Sequence, residues 1–339
     1  MLGEELDQRR AEQSGEPPQR LRHADVQVLT DRTQTIINRV TPLSDVPFEH
    51  TLNPYRGCEH GCIYCFARPY HEYLGMSCGL DFETKIVAKH DAPALLRHEL
   101  SRPGWRGEPI VMSAITDIYQ PLEHKLRLAR GCLEIMAACD QPTATMTKGA
   151  LILRDIDLWQ RMCSRGVGRV TVTLVTLDAA LAEKLEPRAT LPAGRLRMIR
   201  ELTAAGIDVS VNVAPVIPGL TDREIPSILE AVADAGAKSA CWVTLRLPYQ
   251  LKALFTEWLA RCTPPAQARH VESLLRQAHD GKLYDGSLGR RGRGRGVLAE
   301  NLATVFSTFQ RKYKLDAKLP PLRRDLFVKP AAGGQLSLF

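Results

Sequence analysis

The sequence predicts a parallel α/β fold, and three observations carry that prediction. Runs rich in β-branched residues at 109–114, 143–147, 169–175, 207–213 and 241–246 follow an earlier run at 48–52, and each has the length and composition of a buried strand. Helical segments lie between them, near 91–101, 123–139, 150–165, 178–186, 192–205 and 222–235. Gly206 and Gly236 stand where a helix must stop just before the next strand. Strands joined by crossovers of helix length pair in parallel. In such sheets ligands gather beyond the carboxyl ends of the strands.

The elements follow in order. Residues 1–40 are polar and charged, contain Glu16-Pro-Pro-Gln19 and have few large apolar positions, which predicts a mobile N-terminal arm with one docked segment. The first strand leads into a cysteine-rich loop, after which a short helix ends near Gly75. Beyond the last strand, 248–280 reads as two helices separated by Thr263-Pro-Pro265. The tract Gly289-Arg-Arg-Gly-Arg-Gly-Arg-Gly296 suits a flexible linker and a phosphate-binding loop equally, and it lacks the interleaved aromatics of a base-stacking segment. A further helix spans 298–312, and Leu319-Pro-Pro321 opens a tail. The domain plan is therefore an arm at 1–40, an α/β core at 41–255, a helical basic extension at 256–330 and a flexible tail at 331–339.

Composition narrows the function classes. A chain of 339 residues with 44% hydrophobic and 24% charged residues fits a globular enzyme. It has no apolar run of about 18 residues and no signal-peptide core at Met1, so the cytoplasm is the expected location. Nine cysteines, an odd number, suit a reducing compartment. Cys132, Cys139, Cys163, Cys241 and Cys262 sit among apolar neighbours and read as small buried hydrophobes, whereas Cys78 has no clear role. The net charge is +7, and residues 281–330 hold twelve Lys or Arg against four Asp or Glu. That excess suits a polyanionic partner such as DNA, and a solvated basic surface equally.

The chemistry centres on Asn53-Pro-Tyr-Arg-Gly-Cys58-Glu-His-Gly-Cys62-Ile-Tyr-Cys65-Phe66. Three cysteines spaced C-x3-C-x2-C, with Gly57 and Gly61 at the turns, suit an iron–sulfur cluster, and a four-iron cubane on three thiolates keeps one iron open. A zinc site would want a fourth Cys or His at a second knuckle; His60, inside the loop, is the nearest candidate. Further along stand Ser113-Ala-Ile-Thr116-Asp117-Ile-Tyr-Gln-Pro-Leu-Glu123, Thr147-Lys148 and Arg154-Asp-Ile-Asp-Leu158.

Together these motifs resemble the radical S-adenosylmethionine (radical SAM) superfamily, and within it the spore photoproduct lyase-like branch, whose members are often labelled DNA repair photolyases. The match runs over about 45–250. It implies a partial (β/α)6 TIM-type barrel, a [4Fe-4S] cluster on Cys58, Cys62 and Cys65, and S-adenosyl-L-methionine (SAM), cleaved reductively to a 5'-deoxyadenosyl radical with electrons from a separate donor. The resemblance places Tyr64 near the adenine. It makes Ser113, Thr116 and Asp117 contacts of the methionine end, where a carboxylate suits the ammonium, and it lets Lys148 neutralise the carboxylate. Arg188 and Asn212 fall at later strand ends and face the ligand. Core packing for Tyr64, turn capping for Asp117 and a solvated charge for Lys148 are the plainer alternatives. One departure stands out: spore photoproduct lyase uses a hydrogen-donating cysteine near the end of the second strand, where this chain reads Met112-Ser-Ala-Ile-Thr116.

The chain ends Gln335-Leu336-Ser337-Leu338-Phe339, after Ala331-Ala-Gly-Gly334. This pentapeptide resembles the motif that bacterial polymerases and repair proteins insert into the DNA sliding clamp, which would give Gln335 a polar subsite and Leu336, Leu338 and Phe339 an apolar groove. The leading expectation is a radical SAM enzyme acting on DNA lesions. The alternatives are radical SAM modification of RNA, a peptide or a small molecule, and a non-catalytic iron–sulfur adaptor of the clamp.

Overall fold

The computed structural model describes residues 26–41, 46–289 and 291–330. The terminal pentapeptide expected to bind the clamp lies outside them.

A seven-stranded sheet runs in the order β10-β9-β8-β7-β6-β3-β2. Its strands are β2 (Ile37–Arg39), β3 (His50–Leu52), β6 (Ile110–Met112), β7 (Thr143–Thr147), β8 (Gly168–Thr173), β9 (Val209–Val216) and β10 (Ser239–Thr244). From β3 to β10 every neighbouring pair is parallel, and β2 adds an antiparallel edge to β3. The sheet is open, with β2 and β10 at its edges. Helices return the chain between the parallel strands: α1 (Ala92–Ser101), α2 (Leu128–Ala138), α3 (Ile156–Ser164), α4 (Ala179–Leu185), α5 (Pro192–Ala204) and α6 (Ile225–Asp234). This is the partial (β/α)6 barrel that the resemblance implies.

The two faces of the sheet differ for a reason visible in the strands. Val170 and Val172 on β8 and Val209, Val211 and Val213 on β9 are buried in the main core with Met136 of α2, Met162 of α3 and Met198 of α5. A parallel sheet covered on both faces reads as continuous apolar sequence. Here β8 and β9 alternate, so the other face carries Thr171, Thr173, Ser210 and Asn212, and β10 adds Ser239 and Cys241 in register. Ser210 and Ser239 share a hydrogen bond of 2.8 Å across that face. The inner wall of the barrel is polar.

Three features depart from the expected plan. The arm gives way from Val26 onward: β1 (Gln27–Thr30) pairs with β5 (Lys85–Ala88), which pairs with β4 (Tyr55–Arg56) in a small sheet, and β2 joins the main sheet. The expected core boundary at 255 falls inside α7 (Leu251–Cys262), which packs with α8 (Pro265–Ala278) around Trp258, Val271 and Leu275. After α9 (Gly296–Lys312) the chain forms a strap across the amino ends of the strands rather than a loose tail. Ala240 N–H donates to Leu315 O at 2.9 Å, Arg323 N–H to Gly166 O at 2.9 Å and Val328 N–H to Cys139 O at 2.9 Å.

The arginine–glycine tract is docked as well. Thr244 N–H donates to Gly292 O at 3.0 Å, and Arg293 lies 4.5 Å over the Trp242 ring. With Leu315 also bonded to β10, this covers an edge strand that would otherwise offer free backbone groups.

Candidate active site

The carboxyl end of β3 opens the site. Asn53 Oδ1 accepts Ile115 N–H at 3.1 Å, which ties the exit of β3 to the exit of β6. Gly57 follows at φ +80, and a Cβ there would stand 2.7 Å from Phe82 O. Only glycine combines that backbone with so close an approach. Cys58 N–H then donates to the same carbonyl at 2.9 Å.

The cysteine loop is held from three sides by donors aimed at its backbone. Arg68, fully buried, donates from Nε to Cys62 O and from Nη2 to Gly61 O, both at 2.9 Å, and pairs with Glu83 at 3.1 Å. Arg188 donates to Glu59 O and pairs with Glu83 at 3.2 Å, while its own N–H meets His60 O at 3.2 Å. From the exit of β6, Thr116 Oγ1 donates to Gly57 O at 2.6 Å, and Gln120 Oε1 accepts Glu59 N–H at 2.9 Å. Buried backbone groups need such partners. Here they come from side chains, which fixes the loop without making it part of a sheet.

Cys58 and Cys62 are buried and Cys65 half-buried, all as free thiols. Burial pushes the Cys62 thiol up to about 12 against the opposing pull of Lys148, and pushes Cys58 well above the ordinary thiol range, with the nearby Asp117 charge adding to it. Thiolates in this loop therefore need positive charge bound to them. Among the described residues no three His, Cys, Asp or Glu side chains converge on a point where a single ion would sit. A cubane spreads its three thiolates over three irons and makes no such demand, whereas tetrahedral zinc does. The donor set fits a [4Fe-4S] cluster.

Asp117 stands at the hub between strand exits. Its carboxylate accepts Thr147 Oγ1 at 2.7 Å, Lys148 N–H at 2.8 Å and Tyr119 N–H at 2.9 Å, and faces His60 Nδ1 at 3.3 Å. Burial alone would raise its pKa, but His60 and these hydrogen bonds outweigh it and hold the carboxyl at about 2. Both oxygens are thus engaged within the protein, joining the cysteine loop to the exit of β7.

A second buried group lies beside Cys62. Arg195 pairs with Glu186, Tyr64 donates its hydroxyl to the same carboxylate, and Lys148 Nζ stands 4.0 Å from Glu186 and 5.8 Å over the Tyr64 ring. Burial would lower the Lys148 pKa, yet Cys62 and Glu186 reverse the sign and raise it.

On the inner wall, Ser113 takes a left-handed φ of +76 at the exit of β6, with its Oγ 3.3 Å from Thr145 Oγ1. Among the described residues the Asn212 side chain meets sulfur atoms, Met146 Sδ and Cys241 Sγ, both at 3.4 Å. The Thr173 hydroxyl and Arg246 Nε are buried without a partner among the described residues. Polar groups left so are the mark of a wall that takes a polar ligand.

The structure therefore divides the expected site residues. Cys58, Cys62 and Cys65 share one loop; Thr116, Asp117 and Arg188 brace it; the Tyr64 hydroxyl is engaged by Glu186; and Ser113, Lys148 and Asn212 line the cup with capacity to spare. Arg68, Glu186 and Arg195 were not legible as site residues, and His60, weighed only as a zinc ligand, instead faces Asp117. Arg68 follows the cysteine loop and Glu186 precedes Arg188 by two residues, but nothing in their spacing says that they are buried.

An open (β/α)6 barrel with a three-cysteine loop at the exit of its first parallel strand defines a radical SAM protein. Residues 52–232 match the Radical SAM superfamily, and the chain belongs to that superfamily. Its cofactors are accordingly a [4Fe-4S] cluster and SAM. Among curated relatives, an uncharacterized protein of Mycobacterium tuberculosis is 39% identical over 307 residues, covering 87% of this chain and 86% of the relative. Among solved structures, spore photoproduct lyase complexed with dinucleoside spore photoproduct superposes with a TM-score of 0.62 at 15% identity, covering 92% of each chain. A spore photoproduct lyase mutant with bound AdoMet and dinucleoside spore photoproduct gives 0.61 at 16% identity, over 84% of this chain and 78% of that one. No described helix is long and apolar enough to cross a membrane.

Proposed function

We propose that this radical SAM enzyme acts on lesions in DNA, with Cys58, Cys62 and Cys65 holding three irons of its cluster. The observation that carries the reading is the braced cysteine loop beside a polar inner wall, where among the described residues the buried Thr173 hydroxyl, and Arg246 Nε over Phe66, have no hydrogen-bond partner. Reductive cleavage of SAM to a carbon radical is the chemistry that cluster and SAM supply when bound.

The chain's own residues position and enclose. Arg68, Arg188 and Thr116 fix the loop carbonyls, so the thiols hold their mutual spacing when the ligands arrive. Lys148 sets a cation beside Cys62 and at the edge of the cup, where it meets the SAM carboxylate. Asp117 acts by positioning, through His60 and Lys148 N–H, rather than by touching SAM. Ser113 and Asn212 offer hydroxyl and amide to the ligand from the inner wall, and Tyr64 closes the floor beside Cys62.

The DNA target draws support from the fold shared with spore photoproduct lyase and from the basic C-terminal region. The absence of cysteine at 112–116 separates the reaction from the one in which a cysteine there returns hydrogen, and so favours a different lesion. The pentapeptide at 335–339 docks on the bacterial sliding clamp, electrons come from a separate donor, and the enzyme works in the cytoplasm.

Anaerobic reconstitution followed by reduction with SAM tests the core of this reading. Wild type is expected to form 5'-deoxyadenosine and Cys62→Ala none; equal product from both would overturn the ligand assignment. DNA binding that ignores salt would remove the polyanion, because phosphate contacts release counterions. Clamp capture unaffected by deletion of 335–339 would remove the tail's role.

A further inference from the structure

Against the cysteine loop, with Gly57, Ala67, Phe82 and Ile115 in its wall, lies a cavity of about 260 Å³. Asn38, Thr51 and Asn53 from β2 and β3, Arg56 from β4, Lys89 just past β5, and Tyr70 and Tyr73 from the 3-10 turn Arg68–Leu74 contribute to its lining. None of the three loop cysteines lines it, nor do Asp117, Lys148 or Glu186.

Lys89 is the unusual member. It is 4% exposed as a residue, and its ammonium, for which the described residues supply no hydrogen bond or ion pair, is not sealed in the core but meets the cavity. A cation on the wall of a mostly enclosed cavity with no protein partner suits an anionic ligand. The carboxylates around it do not supply a partner. Asp31 pairs with Arg56 at 3.7 Å, and Glu99 spends both oxygens on Ile36 N–H at 2.8 Å and Ile37 N–H at 3.0 Å. Burial, reinforced by the neighbouring Arg56 charge, lowers the Lys89 pKa, which an anion in the cavity would reverse.

The other donors agree in sign. Asn53 gives its carbonyl oxygen to Ile115 N–H, which leaves the amide NH2 for the cavity. Tyr70 and Tyr73 are 49% and 80% exposed at the mouth, with ring centroids 6.1 Å apart. Exposed aromatic pairs next to cationic groups are how proteins take a nucleotide, by stacking the base while the charges hold the phosphate.

We propose that this cavity binds a phosphate ester, with Lys89 and Arg56 on the anionic oxygens, the Asn53 amide as a further donor, and Tyr70 and Tyr73 stacked on the attached nucleoside. The phosphate belongs either to a free nucleotide or to a nucleic-acid strand. The inference rests on the geometry of the cavity and not on the DNA-lesion reading.

The test compares the full-length, cluster-loaded protein with its Lys89→Met and Tyr73→Ala variants. The probes are inorganic phosphate, thymidine 5'-monophosphate, thymidine, and a short single-stranded DNA oligonucleotide, each titrated over a range of salt. Lys89→Met is expected to weaken binding of the phosphate-bearing probes on the order of tenfold. It is also expected to reduce the salt slope for DNA by about one. Its Tm should stay level or rise, because a cation with no partner among the described residues is gone. Tyr73→Ala is expected to weaken the nucleotide and the oligonucleotide but not inorganic phosphate. Lys89-dependent binding of the mononucleotide supports a free-nucleotide source; Lys89-dependent binding of the oligonucleotide alone supports a strand. Should Lys89→Met lose stability, Arg56→Gln serves as the second variant, with the same losses expected. Phosphate-bearing probes that bind wild type and both charge variants equally, or fail to bind wild type, overturn the proposal.

Discussion

The two poles of the barrel are closed by different physics. At the carboxyl pole, the cysteine loop is held by side chains that carry charge: Arg68 and Arg188 on its carbonyls, Asp117 on His60, and the Glu186–Arg195 pair beneath Tyr64. At the amino pole, the strap from Leu315 to Val328 is held by backbone pairing, by solvent-facing charge such as Arg324 on Glu108 at 2.9 Å, and by Phe327 packed over Gly107, where an added Cβ would stand 2.6 Å from the Phe327 Cβ. Charge buried in a protein is costly unless every group is matched. A pole that serves only to close the fold avoids it, and a pole that must hold thiols at fixed spacing beside a polar cup uses it.

If that contrast is right, the largest effect comes from unmatching the carboxyl pole. Glu186→Gln strands Arg195 and Lys148 without their counter-charge and is expected to cost about 3–5 kcal/mol in chemical denaturation. A loss below about 1 kcal/mol would mean that solvent screens the pair. Arg68→Ala removes the donors to Gly61 and Cys62 and is expected to lower stability by about 2–3 kcal/mol. More tellingly, it should lower the iron retained after reconstitution, and full retention would show that the loop needs no such brace.

Acid sharpens the comparison. Because the Asp117 pKa falls from 3.8 to about 2 on folding, the stability it gives is complete above the ordinary carboxyl range and is lost as pH falls from about 4 towards 2. Asp117→Asn should therefore cost about 2 kcal/mol at pH 7 and flatten the acid limb of the Tm profile between those values. An unchanged limb would place the acid sensitivity elsewhere. The smallest effect belongs to the amino pole: Phe327→Ala is expected to cost about 1–2 kcal/mol of half-buried contact while leaving iron content and 5'-deoxyadenosine formation unchanged. Loss of iron in that variant would break the separation of the poles.

What could be read from the sequence follows the same division. The six parallel strands announce themselves because Val, Ile and Thr runs such as Thr143–Thr147 are bounded by helix stops, and the cysteine loop because its three cysteines fall within one short stretch of chain. β1 was missed because Gln27–Thr30 is largely exposed and carries no alternation. The strap was missed because 313–330 has proline, basic residues and no period, and its order comes only from the strand ends beneath it. The motif gave Asp117 a carboxylate but not its neighbours. His60, Thr147 and Lys148 all lie far from Asp117 in the chain, so whether the carboxylate is free for a ligand or engaged within the protein is decided by tertiary contact alone. For the same reason nothing in the sequence marks Glu186 and Arg195 as a buried pair.

The strap has a consequence for traffic. It crosses the amino pole and reaches Pro103, where Lys329 Nζ meets the carbonyl at 3.0 Å, so the described chain ends at Pro330 on the side opposite the cup. Nine extended residues reach no more than about 30 Å. Whatever grips the final residues would hold the enzyme by its back, like a lamp on a short cord, with the mouth of the barrel left facing outward and unobstructed.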